Sequence, residues 1–522
     1  MTPPFHTTRS PRHMVSSADG LATQAGLSVL AQGGNAVDAA IATNAAIAVT
    51  GPHLCGMGGD LFALVHHEGK VECLNASGRA GSGASAAAIR ADGHTEMPFR
   101  HDIRTVTVPG CVDGWVALHA RFGTLPLATL LAPAIELADG GFPASPLLVA
   151  SAARLDSLGR ATLHELSSQA HLPNERVRRP GVARALRAIA EGGREAFYQG
   201  SFGEGLLQLG DGWYTAADLA RSQAEWVHPL RATAWGVELW TVPPNSQGYL
   251  TLGAAALASH LDLPADTGDE WWAHLLIEAA KVAGFDRPQV LHEGADGVAL
   301  LRSIADRAHL LDVDRAADWP MAGSAGDTTY LCTTDEQGMG VSLIQSNASG
   351  LGSWIVEPNT QINLHNRGLG FSLIEGHPAE LAAGARPPHT LSPALATRNG
   401  ELAAVFGTMG GDAQPQILLQ LAARLFHQHQ SPAVAMHAGR WSLSGPVTGF
   451  DTWTAPTGPI VQIEGNAPAH WAADLAARGH VTSVLGAYDS AFGHAQIIMR
   501  DDNGFWAGAS DPRARVGSVA GA

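Results

Sequence analysis

The stretch Asp327-Thr328-Thr329-Tyr330-Leu331-Cys332-Thr333-Thr334-Asp335-Glu336-Gln337-Gly338-Met339-Gly340-Val341-Ser342-Leu343-Ile344-Gln345-Ser346 decides the fold. Thr328 to Thr334 is β-branched and apolar, Asp335 to Gly338 is polar, and Val341 to Gln345 is apolar again. This pattern predicts a hairpin, with Gly338 supplying the left-handed residue at the end of a short loop. A three-residue loop Glu336–Gly338 pairs Asp335 with Met339 and therefore sets Thr328 opposite Ser346. Directly opposed Cβ atoms lie about 4.5–5.5 Å apart, which brings the two hydroxyls within hydrogen-bond reach. Such a pair serves equally well as a cross-strand hydrogen bond at a sheet end.

A second feature bears on it. Leu402 to Gly407 reads as a strand, followed by Thr408-Met409-Gly410-Gly411-Asp412 and a helix from about Pro415 to His427. Asp412 is expected to cap that helix and Pro415 suits its first turn. A strand–Gly-Gly–helix turn presents bare backbone N–H groups at a helix N-terminus, an anion site and a candidate oxyanion hole. A tight packing turn would read the same way.

Outward from these features, Ala22–Leu30 and Ala36–Ala48 read as helices, the second apolar on all sides. Leu61–Val65 and Lys70–Leu74 form a hairpin around His67-Glu68-Gly69. His66 and His67 then point to opposite faces, a poor joint metal site. Gly56-x-Gly58-Gly59 lacks the third glycine of a dinucleotide fingerprint, because Leu61 stands there. Trp115–Arg121 and Leu127–Ala138 are helical patterns, helix dominates from Ser151 to Gly210, Glu238–Val242 is a strand and Trp271–Val282 a helix. Arg315 to Asp327 has no period and reads as an exposed connector.

Composition narrows the function classes. The 48 acidic against 32 basic residues, net −16, argue against nucleic acid or an anionic membrane as partner. With 522 residues, 45% hydrophobic and 15% charged, the chain can bury a large core, as three domains or one large α/β unit. The 60 glycines predict many tight turns. Lys70 and Lys281 are the only lysines, and neither precedes Ser or Thr, so no GxxxxGK[ST] loop exists. Any Schiff-base chemistry would rest on those two residues. Cys55, Cys73, Cys111 and Cys332 form no CxxC unit and read as core residues. With no HExxH either, no metal and no cofactor are expected. No secretory h-region and no apolar run near 18 residues is found, so a soluble cytoplasmic protein is expected.

With these motifs on the page, the sequence resembles the γ-glutamyltransferase family of N-terminal-nucleophile hydrolases. The resemblance runs through Gly33-Gly34-Asn35-Ala36-Val37-Asp38-Ala39-Ala40, Gly56-Met57-Gly58-Gly59 and Val108-Pro109-Gly110. It continues through Gly123-Thr124-Leu125-Pro126-Leu127, Glu195-Ala196-Phe197-Tyr198, Pro243-Pro244-Asn245-Ser246 and Asp286-Arg287. Asp327-Thr328-Thr329-Tyr330, Arg386 to Pro393, Gly407 to Gly411 and Gly508 to Arg513 complete it. The resemblance implies an α+β fold, the four-layer αββα sandwich, made as one inactive precursor. Self-cleavage between Asp327 and Thr328 would give a large subunit, 1–327, and a small one, 328–522, a heterodimer folded as one unit. Whether that unit pairs further is left open. The freed α-amine of Thr328, reference pKa about 7.7–8.0, would act as base while its Oγ attacks an amide carbonyl. Water or an amine would resolve the acyl-enzyme. Ser346 matches the supporting hydroxyl, and Gly410 and Gly411 match the oxyanion-hole pair.

The resemblance breaks where γ-glutamyl enzymes bind the amino-acid end of their substrate. Ser77 stands where an Arg is expected, with Arg79 and Arg90 nearby but unaligned. His365-Asn366-Arg367-Gly368-Leu369-Gly370 lacks the expected Asp, and His389-Thr390 replaces a Ser-Ser pair. A binder and its charged target should disappear together, because a buried unpaired charge costs several kcal/mol. Arg367 is the candidate to grip a substrate carboxylate, with His389, Thr390 and Asn347 as polar liners. The wording is nearer the oxamate amidohydrolase-like branch, so a small carboxylate-bearing amide is expected. The alternatives are a γ-glutamyl hydrolase or transpeptidase acting on glutathione-type compounds, a β-lactam side-chain acylase, and a non-catalytic protein on the same scaffold.

Overall fold

The computed structural model describes residues 6–317, 328–444 and 460–522. Most of the expected connector, and Asp327 with it, lies outside the described residues.

The hairpin forms as read. Thr329–Thr334 pairs antiparallel with Gly340–Ser346, Thr329 opposite Gln345 and Thr334 opposite Gly340, and Gly338 has φ +83°. It lies at the centre of a seven-stranded antiparallel sheet. Gly340–Ser346 pairs on its far side with Asp60–His67, which turns at Glu68-Gly69 into Lys70–Ala76. A second seven-stranded antiparallel sheet contains Val237–Thr241, Ala394–Arg398, Glu401–Gly407 and Gln496–Arg500. The two sheets stack face to face.

Residue alternation explains the stacking. Phe62, Leu64, Tyr330, Cys332 and Ile344 from the first sheet meet Leu395, Leu402, Val405 and Ile498 from the second in one buried cluster. The intervening residues Leu61, Ala63, Val65, Leu331 and Leu343 face the other way, onto Ala36–Thr50 and neighbouring helices. On the second sheet Ala394, Ala396, Ala404, Phe406 and Ile497 face Tyr249–Ala258, Glu270–Gly284 and Gln414–Ala422. Strands with both faces covered read as nearly continuous apolar runs, with a period of two deciding which layer each side chain enters. The fold is therefore the expected four-layer αββα sandwich. Among the described residues no helix is long and apolar enough to cross a membrane. All four cysteines are buried and unpaired with one another.

One local expectation fails. Asp412 does not cap the helix after the Gly-Gly turn, since Gln414–Ala422 starts from Ala413 without a side-chain cap. The Asp412 carboxylate instead faces the guanidinium of Arg287 at 3.4 Å, and a buried anion takes a cationic partner over a helix end when both are in reach.

A Cβ at Gly407 would overlap the ring of Tyr330, so the closeness of the two sheets depends on this glycine. Gly407→Ala is expected to destabilise the fold by about 1–3 kcal/mol, the usual range for overpacking. The check is the urea midpoint at constant m; an unchanged midpoint would contradict the sheet contact.

Candidate active site

The strands of both sheets bring their chemistry to one end of the sandwich. Thr328 precedes the strand Thr329–Thr334, Ser346 ends its partner, and Asp60 begins the next strand, directly opposite Ser346. All three share the parity of Tyr330, Ile344 and Phe62, so they face the gap between the sheets. In the second sheet, Ala394 lies opposite both Phe406 and Thr241, so the segments flanking these strands, 386–393, 408–413 and 242–248, converge on the same end.

Thr328 Oγ1 and Ser346 Oγ are 3.0 Å apart, and both residues are buried. Ser346 Oγ also accepts the N–H of Ala348 at 2.8 Å, which fixes its rotamer. Gly410 has φ +138° and Gly411 φ +54°, conformations that L side chains rarely adopt, so the turn needs glycine twice. Among the described residues neither glycine N–H donates to another group. Successive unsatisfied amides of this kind form an anion-binding concavity. The side chain of Gln247 ties this turn to its neighbour, donating to the carbonyls of Gly411 and Thr390, each at 3.1 Å.

Asp60 is the residue that sequence reading missed. Its fully buried Oδ2 accepts from Arg367 Nε at 2.6 Å and lies 3.0 Å from His389 Nε2 and 3.4 Å from His365 Nδ1. Burial alone would raise its pKa, but Arg367 and His389 hold the carboxyl well below the usual range. Burial, with Arg367 alongside, pushes His389 down to about 4, so its imidazole is neutral. His389 Nδ1 accepts the N–H of Leu391, which leaves the proton on Nε2, toward Asp60. The knot of Asp60, Arg367 and neutral His389 therefore carries no net charge. Asp60 Oδ1 has no hydrogen-bond partner among the described residues. The signal for Asp60 was present: it follows Gly58-Gly59 and has the inward parity of Phe62. Its partner Ser346 is distant in sequence, however, and only sheet pairing joins them.

Of the other expected liners, Thr390 joins the knot, its Oγ1 accepting from Arg367 Nη1 at 3.3 Å. Asn347 turns instead to the glycine loop, donating to the carbonyl of Pro52 at 3.1 Å. Arg367 is not a lone cation awaiting an anion, because Asp60 already holds its Nε edge. Arg79 pairs with Glu293 and Glu225, and Arg90 with Glu380, so neither lies at the knot. Ser77 is hydrogen-bonded to Asn75 at 2.8 Å.

The Gamma-glutamyltranspeptidase family model matches residues 22–521. The chain is 35% identical to the Oxamate amidohydrolase proenzyme of Klebsiella pneumoniae, over 96% of this chain and 97% of that protein. It is 33% identical to the Glutathione hydrolase-like YwrD proenzyme of Bacillus subtilis, over 97% and 98%. The cephalosporin acylase from Bacillus halodurans superposes with a TM-score of 0.89 at 34% identity, covering 100% of this chain and 97% of that one.

The knot sets a pH dependence. His389 binds a proton near pH 6.5 when unfolded but only near 4 when folded. Below pH 6.5 the unfolded chain therefore binds more protons, and stability falls as pH falls from 6.5 to 4. His494, also pushed down to about 4, adds to this loss. Asp60, depressed below the unfolded value of about 3.9, adds a further loss below that pH. Urea midpoints are expected to drop between pH 7 and 4.5, with a smaller drop in His389→Gln. An equal drop in both would remove His389 from the account.

Proposed function

The chain belongs to the gamma-glutamyltranspeptidase family, and from that premise we propose a self-processing amidohydrolase that works through an acyl-Thr328 intermediate on a small carboxylate-bearing amide. Enzymes of this family are hydrolases and transferases that process themselves into two fragments and act on small molecules. The observation that carries the finer reading is the 3.0 Å contact between Thr328 and Ser346, at the sandwich end that also holds the Gly410-Gly411 turn.

The chemistry follows from the groups at hand. In the uncut chain Thr328 Oγ attacks the carbonyl of Asp327, the C–N bond breaks, and the acyl group passes to oxygen as an ester. Water hydrolyses that ester, leaving residues 1–327 with a new carboxylate and Thr328 with a free α-amine. The amine, with a reference pKa of about 7.7–8.0, takes the proton from Oγ as it attacks a substrate amide. Ser346 holds Oγ in place, and the Gly410 and Gly411 amides receive the developing oxyanion. The protonated amine gives its proton to the leaving nitrogen, and water then releases the acid.

Arg367 would read the substrate. Asp60 fixes its Nε edge, which directs the terminal nitrogens, one already beside Thr390 Oγ1, toward a carboxylate on the acyl group. Removal of the acyl side chain of a β-lactam, the acylase alternative, is the second reading, favoured by the extent of the structural match to a cephalosporin acylase. A γ-glutamyl reading finds less support, since Arg79 and Arg90 are engaged elsewhere.

Mass spectrometry is expected to find a fragment beginning at Thr328. Thr328→Ala should abolish both the cut and the activity, and a cut at that bond in the variant would refute the assignment. Ammonia release from oxamate should exceed turnover of γ-glutamyl-p-nitroanilide and of an N-acyl cephalosporin; the reverse order selects the corresponding alternative. Activity should rise with pH through roughly 7–8 as the amine loses its proton. Arg367→Lys keeps the charge but loses the fork, and should raise KM for oxamate about tenfold or more.

A further inference from the structure

Asp286 and Arg287 follow the helix Glu270–Gly284, and each is tied to a charge distant in sequence. Asp286 Oδ2 lies 2.7 Å from Arg307 Nη1, and the Arg307 guanidinium sits over the ring of Phe285, 4.7 Å from its centre. Arg287 is committed elsewhere, with its Nη2 3.4 Å from Asp412 Oδ1. The Asp412 side chain is fully buried and that of Arg287 is 11% exposed, so the two charges meet largely out of water. An ion pair in such a place is strong, and breaking it on one side leaves a buried charge that costs several kcal/mol.

The place of Asp412 gives this pair its interest. Asp412 directly follows Gly410-Gly411 and belongs to the short helical turn Gly411–Ala413. That turn is fixed from two sides: the Ala413 N–H donates to the Gly410 carbonyl at 2.9 Å, and Gln247 Nε2 donates to the Gly411 carbonyl at 3.1 Å. A buried carboxylate is thus attached to the very turn whose amides form an anion-binding concavity. Consecutive Cα atoms are about 3.8 Å apart, so the Asp412 carboxylate lies within about 10 Å of any oxyanion held by the Gly411 N–H. At an effective dielectric near 20, a full negative charge at that range slows formation of a second one by about tenfold or more. A cation beside the carboxylate removes the penalty.

We propose that Arg287 cancels the charge of Asp412 and so keeps the Gly410-Gly411 turn able to receive an oxyanion, an inference that rests on the proposed function, in which this turn does so. Arg287 acts through Asp412 and is a positioning residue. Its effect belongs to the transition state: the carbonyl of a bound amide is neutral, and the charge that Asp412 would repel develops only as Thr328 Oγ attacks. Loss of Arg287 therefore falls on kcat and leaves KM nearly unchanged. The arrangement also crosses the chain. Arg287 lies ahead of Thr328 and Asp412 after it, so residues from both sides of Thr328 complete the electrostatics of one turn.

The test is a cycle of variants in the processed protein, with kcat and KM measured for oxamate. Arg287→Gln should lower kcat about tenfold or more with KM within about twofold of wild type. Arg287→Lys keeps the charge and should keep most of the rate. Asp412→Asn and the double variant Arg287→Gln/Asp412→Asn should both stay within about threefold of wild type, because neither holds a lone carboxylate behind the turn. Recovery in the double variant is the signature of charge; a pair that only anchored the turn would leave the double variant as slow as Arg287→Gln. A wild-type kcat in Arg287→Gln, or no recovery in the double variant, overturns the inference. If the lone charge keeps Arg287→Gln from folding, Asp412→Asn and the double variant decide: rates near wild type support charge cancellation, and a tenfold loss in both overturns it. If oxamate is not turned over but γ-glutamyl-p-nitroanilide or an N-acyl cephalosporin is, the substrate reading fails and the same cycle is read on that compound. A wild-type protein that turns over none of the three sinks the proposed function and this inference with it.

Discussion

The structure depends on strand register at the centre of one sheet. A slip of one residue in Gly340–Ser346 would turn Ser346 away from Thr328 and from Asp60, and would put Ile344 into the helix layer. The register is held from both sides. The Asp335–Gly338 turn sets it within the hairpin, and the apolar alternation of Phe62, Leu64, Tyr330 and Ile344 sets it against the second sheet. Stability and chemistry therefore share one constraint. The same pairing that buries the inter-sheet core lines up Thr328, Ser346 and Asp60 on neighbouring strands.

This explains which parts were legible in the sequence. The hairpin was, because turn chemistry and a period of two are local, and together they put Thr328 opposite Ser346 without further information. The Gly410-Gly411 turn was legible as well, since two left-handed residues in succession require glycine. Asp60 was not. Its role depends on Gly340–Ser346 pairing with a strand distant in sequence, and on Arg367 and His389 arriving from two other segments. Asp412 was misread for the same reason: local rules assign it to a helix end, while Arg287 claims it from afar. The link from Arg287 to the Gly410-Gly411 turn was invisible as well, although Asp286-Arg287 stood out as a motif. Nothing local joins the end of helix Glu270–Gly284 to Asp412.

Burial of the site has a consistent physical cause. Thr328 and Ser346 are buried at the end of the first sheet, facing the second, and the knot behind them joins three segments, those of Asp60, His365–Arg367 and His389–Thr390. Hydroxyls and amides in such a place are stronger hydrogen-bonding groups than in water, because the local dielectric is low. Under the proposed function, that would favour attack on a carbonyl by a weak nucleophile, with the groups in place before any substrate arrives. Preorganisation here comes from packing of the same apolar side chains that form the inter-sheet core.

Charge balance then sets how a substrate can be selected. Arg367 and Asp60 nearly cancel, and His389 is neutral, so the proposed carboxylate meets no strong net field. At an effective dielectric near 20, a carboxylate about 4 Å from the guanidinium gains about 4 kcal/mol. The Asp60 charge about 6 Å away returns about 3 of these, leaving about 1 kcal/mol from Coulomb attraction. Discrimination must therefore come from hydrogen-bond geometry: a planar carboxylate can satisfy the terminal guanidinium nitrogens, and a neutral acyl end of the same size cannot. An isolated Arg would bind many anions tightly and release acidic products slowly. Under the proposed function, an Arg already held by Asp60 would recognise shape, bind modestly and let the product acid leave.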